Sequence, residues 1–297
     1  MFHKSVLIKE SIDALDIHPS GIYADATYGG GGHSREILSH LQDGKLFAFD
    51  QDEEALANKI DDPRITLINS NFRYIRNFMK LYRAIPVDGI LADLGVSSHQ
   101  FDIPERGFST RFEGELDMRM DQRQEESAKD IINRYDESKI AEILSRYGEI
   151  RNAGKAAKLI FNARKSEPIN TTSRLKEILT PCTVKGSENK FFAQVFQALR
   201  IEVNQELEAL KEFLEQSVSI LRPGGKLVII SYHSLEDRLV KDYFRSGNFE
   251  GEIKKDFFGN PIVPLKIITR KPVVPSSDEV MKNPRARSGR MRVAEKI

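Results

Sequence analysis

The sequence predicts an α/β protein, with a mostly parallel sheet that ends in an antiparallel C-terminal strand pair and a helical domain inserted into it. Three observations predict this. Short apolar strands alternate with helical patterns through the first 95 residues, which argues a parallel sheet with crossover helices. The fourth and fifth strands are then separated by about 130 residues, where a crossover needs only a dozen or more. Finally, two C-terminal apolar runs are joined by a Pro/Ser/Asn-rich loop that reads as having no crossover helix.

The first strand is Gly21-Ile22-Tyr23-Ala24, preceded by an amphipathic helix over Val6–Leu15. It runs into Asp25-Ala26-Thr27-Tyr28-Gly29-Gly30-Gly31-Gly32-His33, and the helical pattern of Ile37, Leu38 and Leu41 follows. Four glycines between a strand and a helix let the backbone approach a bound molecule, because no Cβ intervenes. The second strand, Lys45–Phe49, ends in Asp50, 18 residues after Gly32. A carboxylate there can accept hydrogen bonds from both hydroxyls of a ribose. This is the head of a nucleoside-cofactor domain.

Gln51–Ile60 reads as a helix, and Ile65–Ile68 as a third strand ending near Phe72, an aromatic placed to lie against an adenine ring. A helix over Ile75–Tyr82 leads to the fourth strand, Asp88–Gly95, which carries Asp93. Ligands in such sheets sit at the carboxyl ends of the strands, where the glycines, Asp50, Phe72 and Asp93 all fall. Helical patterns over 128–135, 137–147, 153–165, 174–179 and 191–221 fill the long gap, broken by Pro168 and Pro181. The division predicted is a core of 1–105 with 205–297 and a helical insertion of 106–204. The fifth strand is Lys226–Ile230, and the last two are Pro264–Thr269 and Met291–Ala294.

That terminal pair separates two nucleoside-binding folds. A dinucleotide-binding domain would continue with another parallel half, whereas a class I methyltransferase using S-adenosylmethionine (AdoMet), Rossmann-like in its parallel part, ends in an antiparallel pair. The glycine spacing agrees, since the third glycine of G-x-G-x-x-G would fall at Arg35. A nicotinamide-dependent oxidoreductase is therefore disfavoured. A non-catalytic RNA-binding factor on the same fold is disfavoured by the intact glycine turn and Asp50.

The net charge of +1 hides an asymmetry: residues 1–150 hold 18 Lys and Arg against 27 Asp and Glu, and residues 151–200 hold 10 against 3. A basic segment in a neutral protein points to a local polyanion contact. Lys155, Lys158, Arg164 and Lys165 in the insertion, with Arg174, Lys176 and Lys185, are candidate phosphate contacts chosen by charge. Arg285, Arg287, Arg290 and Arg292 form a second basic run, of which Arg292 has the alternation of a solvent-facing strand residue. No apolar run approaches the roughly 18 residues of a membrane span. With one cysteine and no secretory segment, a cytoplasmic enzyme is expected. No metal is expected either, because the six histidines lack ligand spacing.

Eight motifs, in order, resemble one family. They are His3-x-x-Val6-Leu7-x-x-Glu10, Asp25–Ser34, Asp88–Ser98, Glu105–Ser109, Leu116–Asp121, Phe196–Asn204, Ser231–Arg238 and Asn283–Ser288. The family is the bacterial small-subunit ribosomal RNA (cytosine-N4)-methyltransferases, and the resemblance runs from His3 to the C-terminus. It implies AdoMet as donor and a cytidine of the decoding region, in RNA or the 30S subunit, as acceptor. Carried over by motif, the cofactor contacts are Gly31, Gly32, His33, Asp50, Phe72, Asp93 and Gln100. His33 and Gln100 come from the resemblance alone. Asp93 is the expected catalytic residue, as an acceptor for the cytosine amine. Arg200, Asn204 and His233 join Lys155, Lys158, Arg164, Lys165, Arg285 and Arg287 as expected RNA contacts. Phe108, Tyr232 or His233 is the candidate to stack on the base, since the aromatic of the DNA-type Asn-Pro-Pro-Tyr signature is missing after Asp93. Two departures, Glu115 for a proline and Gly289-Arg290 for a small or aliphatic pair, bear on loop shape. The oligomeric state is left open, a homodimer included.

Overall fold

A computed structural model describes residues 5–297, so His3 of the first motif lies outside the described residues. The chain forms two compact units, one of residues up to Gly95 together with Leu207–Ile297, the other of Val96–Glu206.

In the first unit the elements run α1 (Ile8–Leu15), β1 (Ile22–Asp25), α2 (Gly32–His40), β2 (Lys45–Asp50), β3 (Ile65–Asn69), α3 (Ile75–Leu81) and β4 (Val87–Asp93). The second unit holds α4 (Ser98–Asp102), α5 (Ala128–Arg134), α6 (Glu137–Arg146), α7 (Ala153–Ala163), α8 (Thr172–Leu179) and α9 (Glu188–Asn204). The chain continues with α10 (Glu206–Ile220), β5 (Leu221–Ser231), α11 (Ser234–Ser246), β6 (Leu265–Ile267), α12 (Ser277–Lys282) and β7 (Arg290–Lys296).

The seven strands are ordered β3-β2-β1-β4-β5-β7-β6. β1 to β5 pair in parallel, whereas β7 is antiparallel to both β5 and β6, as the short C-terminal connection predicts. The chain leaves β1 toward β3 on one side and resumes at β4 on the other, so the strand order reverses between β1 and β4. Helices cover both faces, and successive strand residues alternate between two cores. Phe47, Phe49, Ile90, Ala92, Leu227 and Ile229 meet α3, α10 and α11 through Ile75, Phe213 and Phe244. Tyr23, Leu46, Leu91, Val228 and Ile230 meet α1 and α2 through Leu15, Ile37 and Leu38. Burial on both faces is why the strands read as continuous apolar runs.

Two local expectations are revised. Gln51–Ile60 is not an α-helix but a short 3₁₀ segment, Glu53–Asn58, capped by the Asp52 carboxylate on the Glu54 amide. The helical run through 191–221 breaks at Gln205, whose φ of 49° ends α9 before α10 begins. The unit boundary also falls after Gly95, ten residues before the predicted 105/106 boundary, because Val96 and Phe101 pack on the core of the helical unit.

That helical unit has its own core, built from residues such as Leu116, Ile131, Ile143, Ile160, Leu175, Val195 and Leu199. Asn204, expected to touch RNA, instead closes this core and is only 2% exposed. Its side-chain carbonyl accepts the Met120 amide at 2.7 Å, and its amide donates to the Met118 and Arg200 carbonyls at 2.8 Å each. Asn204→Ala would leave buried groups of the 116–121 loop unsatisfied, at about 1–3 kcal/mol for each group so left. We expect a lowered urea midpoint at an unchanged slope; a wild-type midpoint would show that the loop does not depend on this residue.

Candidate active site

The site begins where β1 ends. The Asp25 carboxylate is fully buried and accepts hydrogen bonds from the Thr27 amide at 3.1 Å and the Ser34 hydroxyl at 2.6 Å. It thereby ties the strand end to the first turn of α2. The turn stays bonded to both neighbouring strands: the Ala26 amide donates to the Leu91 carbonyl and the Tyr28 amide to the Phe49 carbonyl, each at 2.8 Å. Gly29 and Gly31 have φ of 51° and 73°, which strongly favours residues without a Cβ. A Cβ on Gly32 would lie 2.1 Å from the Ser5 hydroxyl oxygen, whereas one on Gly29 or Gly30 would meet nothing within 4 Å. The glycine turn is therefore packed on one side and open on the other.

Two more carboxylates flank it. Asp50, at the end of β2, accepts the Gly29 amide at 2.8 Å and the Asp52 amide at 2.9 Å. Asp93, at the end of β4, accepts the Tyr232 hydroxyl at 2.6 Å, and its own amide donates to the Thr27 hydroxyl oxygen at 2.6 Å. Its second oxygen lies 3.8 Å from Nδ1 of His33. The other nitrogen of that buried ring, Nε2, donates to the Val6 carbonyl at 3.0 Å, which fixes the tautomer. Burial pushes Asp25, Asp50 and Asp93 each up to about 6; hydrogen bonds from Ser34 and Thr27, from the amides of Asp52 and Gly29, and the proximity of His33 oppose it in turn. The Tyr232 hydroxyl is raised well above its usual range by burial and by Asp93, so it stays a donor. Its ring lies over Gly95, where an added Cβ would be 3.4 Å away.

Of the expected cofactor residues, Gly31, Gly32, His33, Asp50 and Asp93 thus share one hydrogen-bonded neighbourhood. Phe72 follows β3, half-buried and edge-on to Phe213 with centroids 5.1 Å apart. The β2 and β3 ends are laced beside it by Asn69 on the Asp50 carbonyl at 3.1 Å and Asn71 on Gln51 at 2.7 Å. Gln100 lies in the helical unit, where it forms a capping box with Ser97 at the start of α4.

The expected RNA contacts divide sharply. Lys155, Lys158 and Lys165 are exposed on or just beyond α7, and Arg285 and Arg287 are exposed ahead of β7. Lys155 donates to the Pro181 carbonyl, and Lys165 lies 4.5 Å from the centroid of the Phe161 ring. Arg164 also lies against that ring and donates to the Ile132 carbonyl at 2.8 Å. Arg200 is mostly buried in a bidentate pair with Glu206 at 2.7 and 2.9 Å, which occupies the face a phosphate would need. His233 caps α11, with Nδ1 accepting the Glu236 amide and Nε2 3.2 Å from Glu236 Oε1. Asn204, Arg200 and His233 are therefore corrected from RNA contacts to internal supports. Arg292 does not face solvent either; it is 8% exposed and pairs with Asp237 at 2.6 and 3.1 Å. Sequence reading missed Asp25 as the anchor of the turn and Tyr232 as the partner of Asp93. A carboxylate at the strand end, four residues before the first glycine, was the one available signal for the first.

The sequence model of the MraW methylase family matches residues 1–297. The chain belongs to that family. A relative of this chain, "Ribosomal RNA small subunit methyltransferase H" of Christiangramia forsetii, is 56% identical over 100% of this chain and 98% of its own. The protein of the same name from Cytophaga hutchinsonii is 54% identical over 100% of both chains. Among solved structures, an rRNA methylase from Streptococcus thermophilus aligns with 98% of this chain and 93% of its own, at 11% identity and a TM-score of 0.43.

The raised carboxylates set a stability test on the ligand-free protein. A buried Asp with a folded pKa near 6 binds protons that the unfolded chain has already lost between about pH 4 and 6. Its contribution therefore becomes less favourable as pH rises through that window. Asp25→Asn is expected to raise the thermal midpoint relative to wild type at pH 8, with the difference vanishing near pH 4. A constant difference across this range would mean that Asp25 is not held at a cost when charged.

Proposed function

We propose that the protein transfers the methyl group of AdoMet to the exocyclic N4 of a cytidine in the decoding region of small-subunit ribosomal RNA, in the cytoplasm. The observation that carries this reading is the glycine turn, open at Gly29 and Gly30 and flanked by the carboxylates of Asp50 and Asp93 at the strand ends. Such a set fits AdoMet: an open backbone for close approach, a carboxylate for ribose hydroxyls, and buried negative charge for a cationic ligand. The family and the name shared by its relatives direct the reaction to ribosomal RNA.

When bound, AdoMet supplies an electrophilic methyl group on a sulfonium sulfur. Gly31 and Gly32 would line its binding face, Asp50 would hold the ribose, Phe72 would pack on the adenine, and His33 would complete the contacts within this unit. Asp93 is the residue for the acceptor. The cytosine amine is a poor nucleophile because its lone pair is delocalised into the ring. A carboxylate accepting one of its hydrogens stabilises the positive charge that develops and then takes the proton. The Tyr232 hydroxyl occupies one Asp93 oxygen and so holds the other in a single orientation. The exposed lysines of α7 and Arg285 and Arg287 would hold the RNA backbone while the base is presented unstacked.

Incubation of the protein with labelled AdoMet and small subunits from cells lacking this activity, followed by mass spectrometry, tests the reaction. Label on N4 of one decoding-region cytidine is expected; tight AdoMet binding without label on subunits or naked RNA would overturn the acceptor. Asp50→Ala is expected to weaken AdoMet binding tenfold or more in calorimetry. Tyr232→Phe is expected to leave that affinity within a few-fold and to lower kcat about tenfold, less than the roughly 10²–10⁴-fold of a general acid–base group itself, because Asp93 stays in place. Loss of a hydrogen bond to the Asp93 carboxylate also raises its pKa, so the acid limb of the rate profile moves to higher pH. An unmoved limb would remove Asp93 from the proton transfer.

A further inference from the structure

Between α11 and β6 the chain builds a hairpin that neither the core nor the site uses. Lys255 bridges to Pro261, the Asp256 amide donates to the Asn260 carbonyl at 2.9 Å, and the Ile262 amide donates to the Lys254 carbonyl at 2.7 Å. The Asp256 carboxylate turns back into the hairpin, accepting the Phe258 and Asn260 amides at 2.9 and 2.8 Å and the Asn260 side chain at 3.0 Å. Gly259, at φ of 86°, closes the turn. On this ordered frame Phe257 and Phe258 are 97% and 85% exposed, with their rings edge-to-face at 5.6 Å. Bare phenyl rings held into water by a hydrogen-bonded turn are an uncommon use of aromatic surface.

The surroundings of the rings identify a partner. Residues 250–271 carry Lys254, Lys255, Lys266, Arg270 and Lys271 against Glu250, Glu252 and Asp256. The Asp256 oxygens are bonded within the turn and Lys266 lies 3.4 Å from Glu295, so Lys254, Lys255, Arg270 and Lys271 are the cations of the stem. Two phenyl faces on a cationic stem match an unpaired nucleic-acid strand, in which bases stack on aromatics and the backbone meets lysines. Ile253 and Ile262 on the same hairpin are also 42% and 60% exposed, but the lysines just before the rings favour a polyanion over an apolar protein surface. We propose that this hairpin is a second RNA-binding element, stacking on unpaired bases of the ribosomal RNA away from the target cytidine. The inference rests on the methyltransferase reading for its RNA.

Topology places the hairpin far from the chemistry. It joins the sheet at Leu265, which pairs with Lys296, and β7 runs from there to Arg290 beside Ser231 at the carboxyl end of β5. The five-residue step from Lys226 to Ser231 alone spans about 17 Å at strand rise. The hairpin thus reaches RNA that a short fragment around the target base does not include.

The test compares wild type with Phe257→Ala/Phe258→Ala and Lys254→Ala/Lys255→Ala. Methyl transfer is measured on 30S subunits, naked small-subunit RNA and a short target-loop fragment. The aromatic variant is expected to raise KM tenfold or more on subunits or full-length RNA, with kcat, AdoMet affinity, thermal midpoint and KM for the fragment unchanged. The lysine variant is expected to reduce the salt dependence of RNA binding by one to two in logarithmic slope. Unchanged KM on both long substrates would overturn the proposal. So would altered sedimentation or lipid-vesicle binding of the aromatic variant without a change in RNA affinity. An inactive wild type would instead overturn the methyltransferase reading, and direct binding of the long RNA to wild type and variants still decides the role of the hairpin.

Discussion

Three carboxylates, Asp25, Asp50 and Asp93, end three parallel strands around a single glycine turn, and burial makes each reluctant to ionise. The rest of the site is arranged around that constraint. Thr27 and Ser34 bond Asp25, the Gly29 amide bonds Asp50, and the Tyr232 hydroxyl bonds Asp93. Each bond offsets part of the desolvation and at the same time sets the course of the backbone through the turn. The carboxylates are therefore both the scaffold of the glycine turn and a preorganised negative charge, which a cationic ligand would relieve.

The sheet topology explains why these groups meet. Strand order reverses between β1 and β4, and ligands of such sheets sit at the carboxyl ends of that reversal, where Asp25 pairs with Leu91 and Asp93, two residues on, bonds Thr27. β5 extends the same edge to Tyr232, which lies 139 positions from Asp93 in sequence yet within a hydrogen bond of it. The helical unit that separates them in the chain has its own core, closed at Asn204.

Much of this was legible in the sequence. Parallel strands buried on both faces read as apolar runs, and a glycine turn needs consecutive residues, so Gly29–Gly32, Asp50 and Asp93 could be placed by spacing. What could not be read were the long-range partners. Arg200, Asn204 and His233 are polar residues within recognisable motifs, and only Glu206, the Met118 and Met120 backbone and Glu236 show that they act inside the protein. Arg292 alternates as a solvent-facing strand residue would, but Asp237 on α11 covers it. The residue types were informative about chemistry and silent about which side of the surface they occupy. Phe257 and Phe258 show the converse, since phenylalanine is a residue type usually buried and both stand in solvent.

Carboxylates partly protonated at pH 6 at the strand ends are expected to receive a cationic donor. Calorimetry of AdoMet binding at pH 6, in buffers of different ionisation enthalpy, measures the protons exchanged on binding. Net proton release at pH 6 that disappears by pH 8 is the expected result, because the cation draws Asp50 and Asp93 into their charged forms. Binding without proton release at pH 6 would contradict the claim, leaving the carboxylates as scaffold alone.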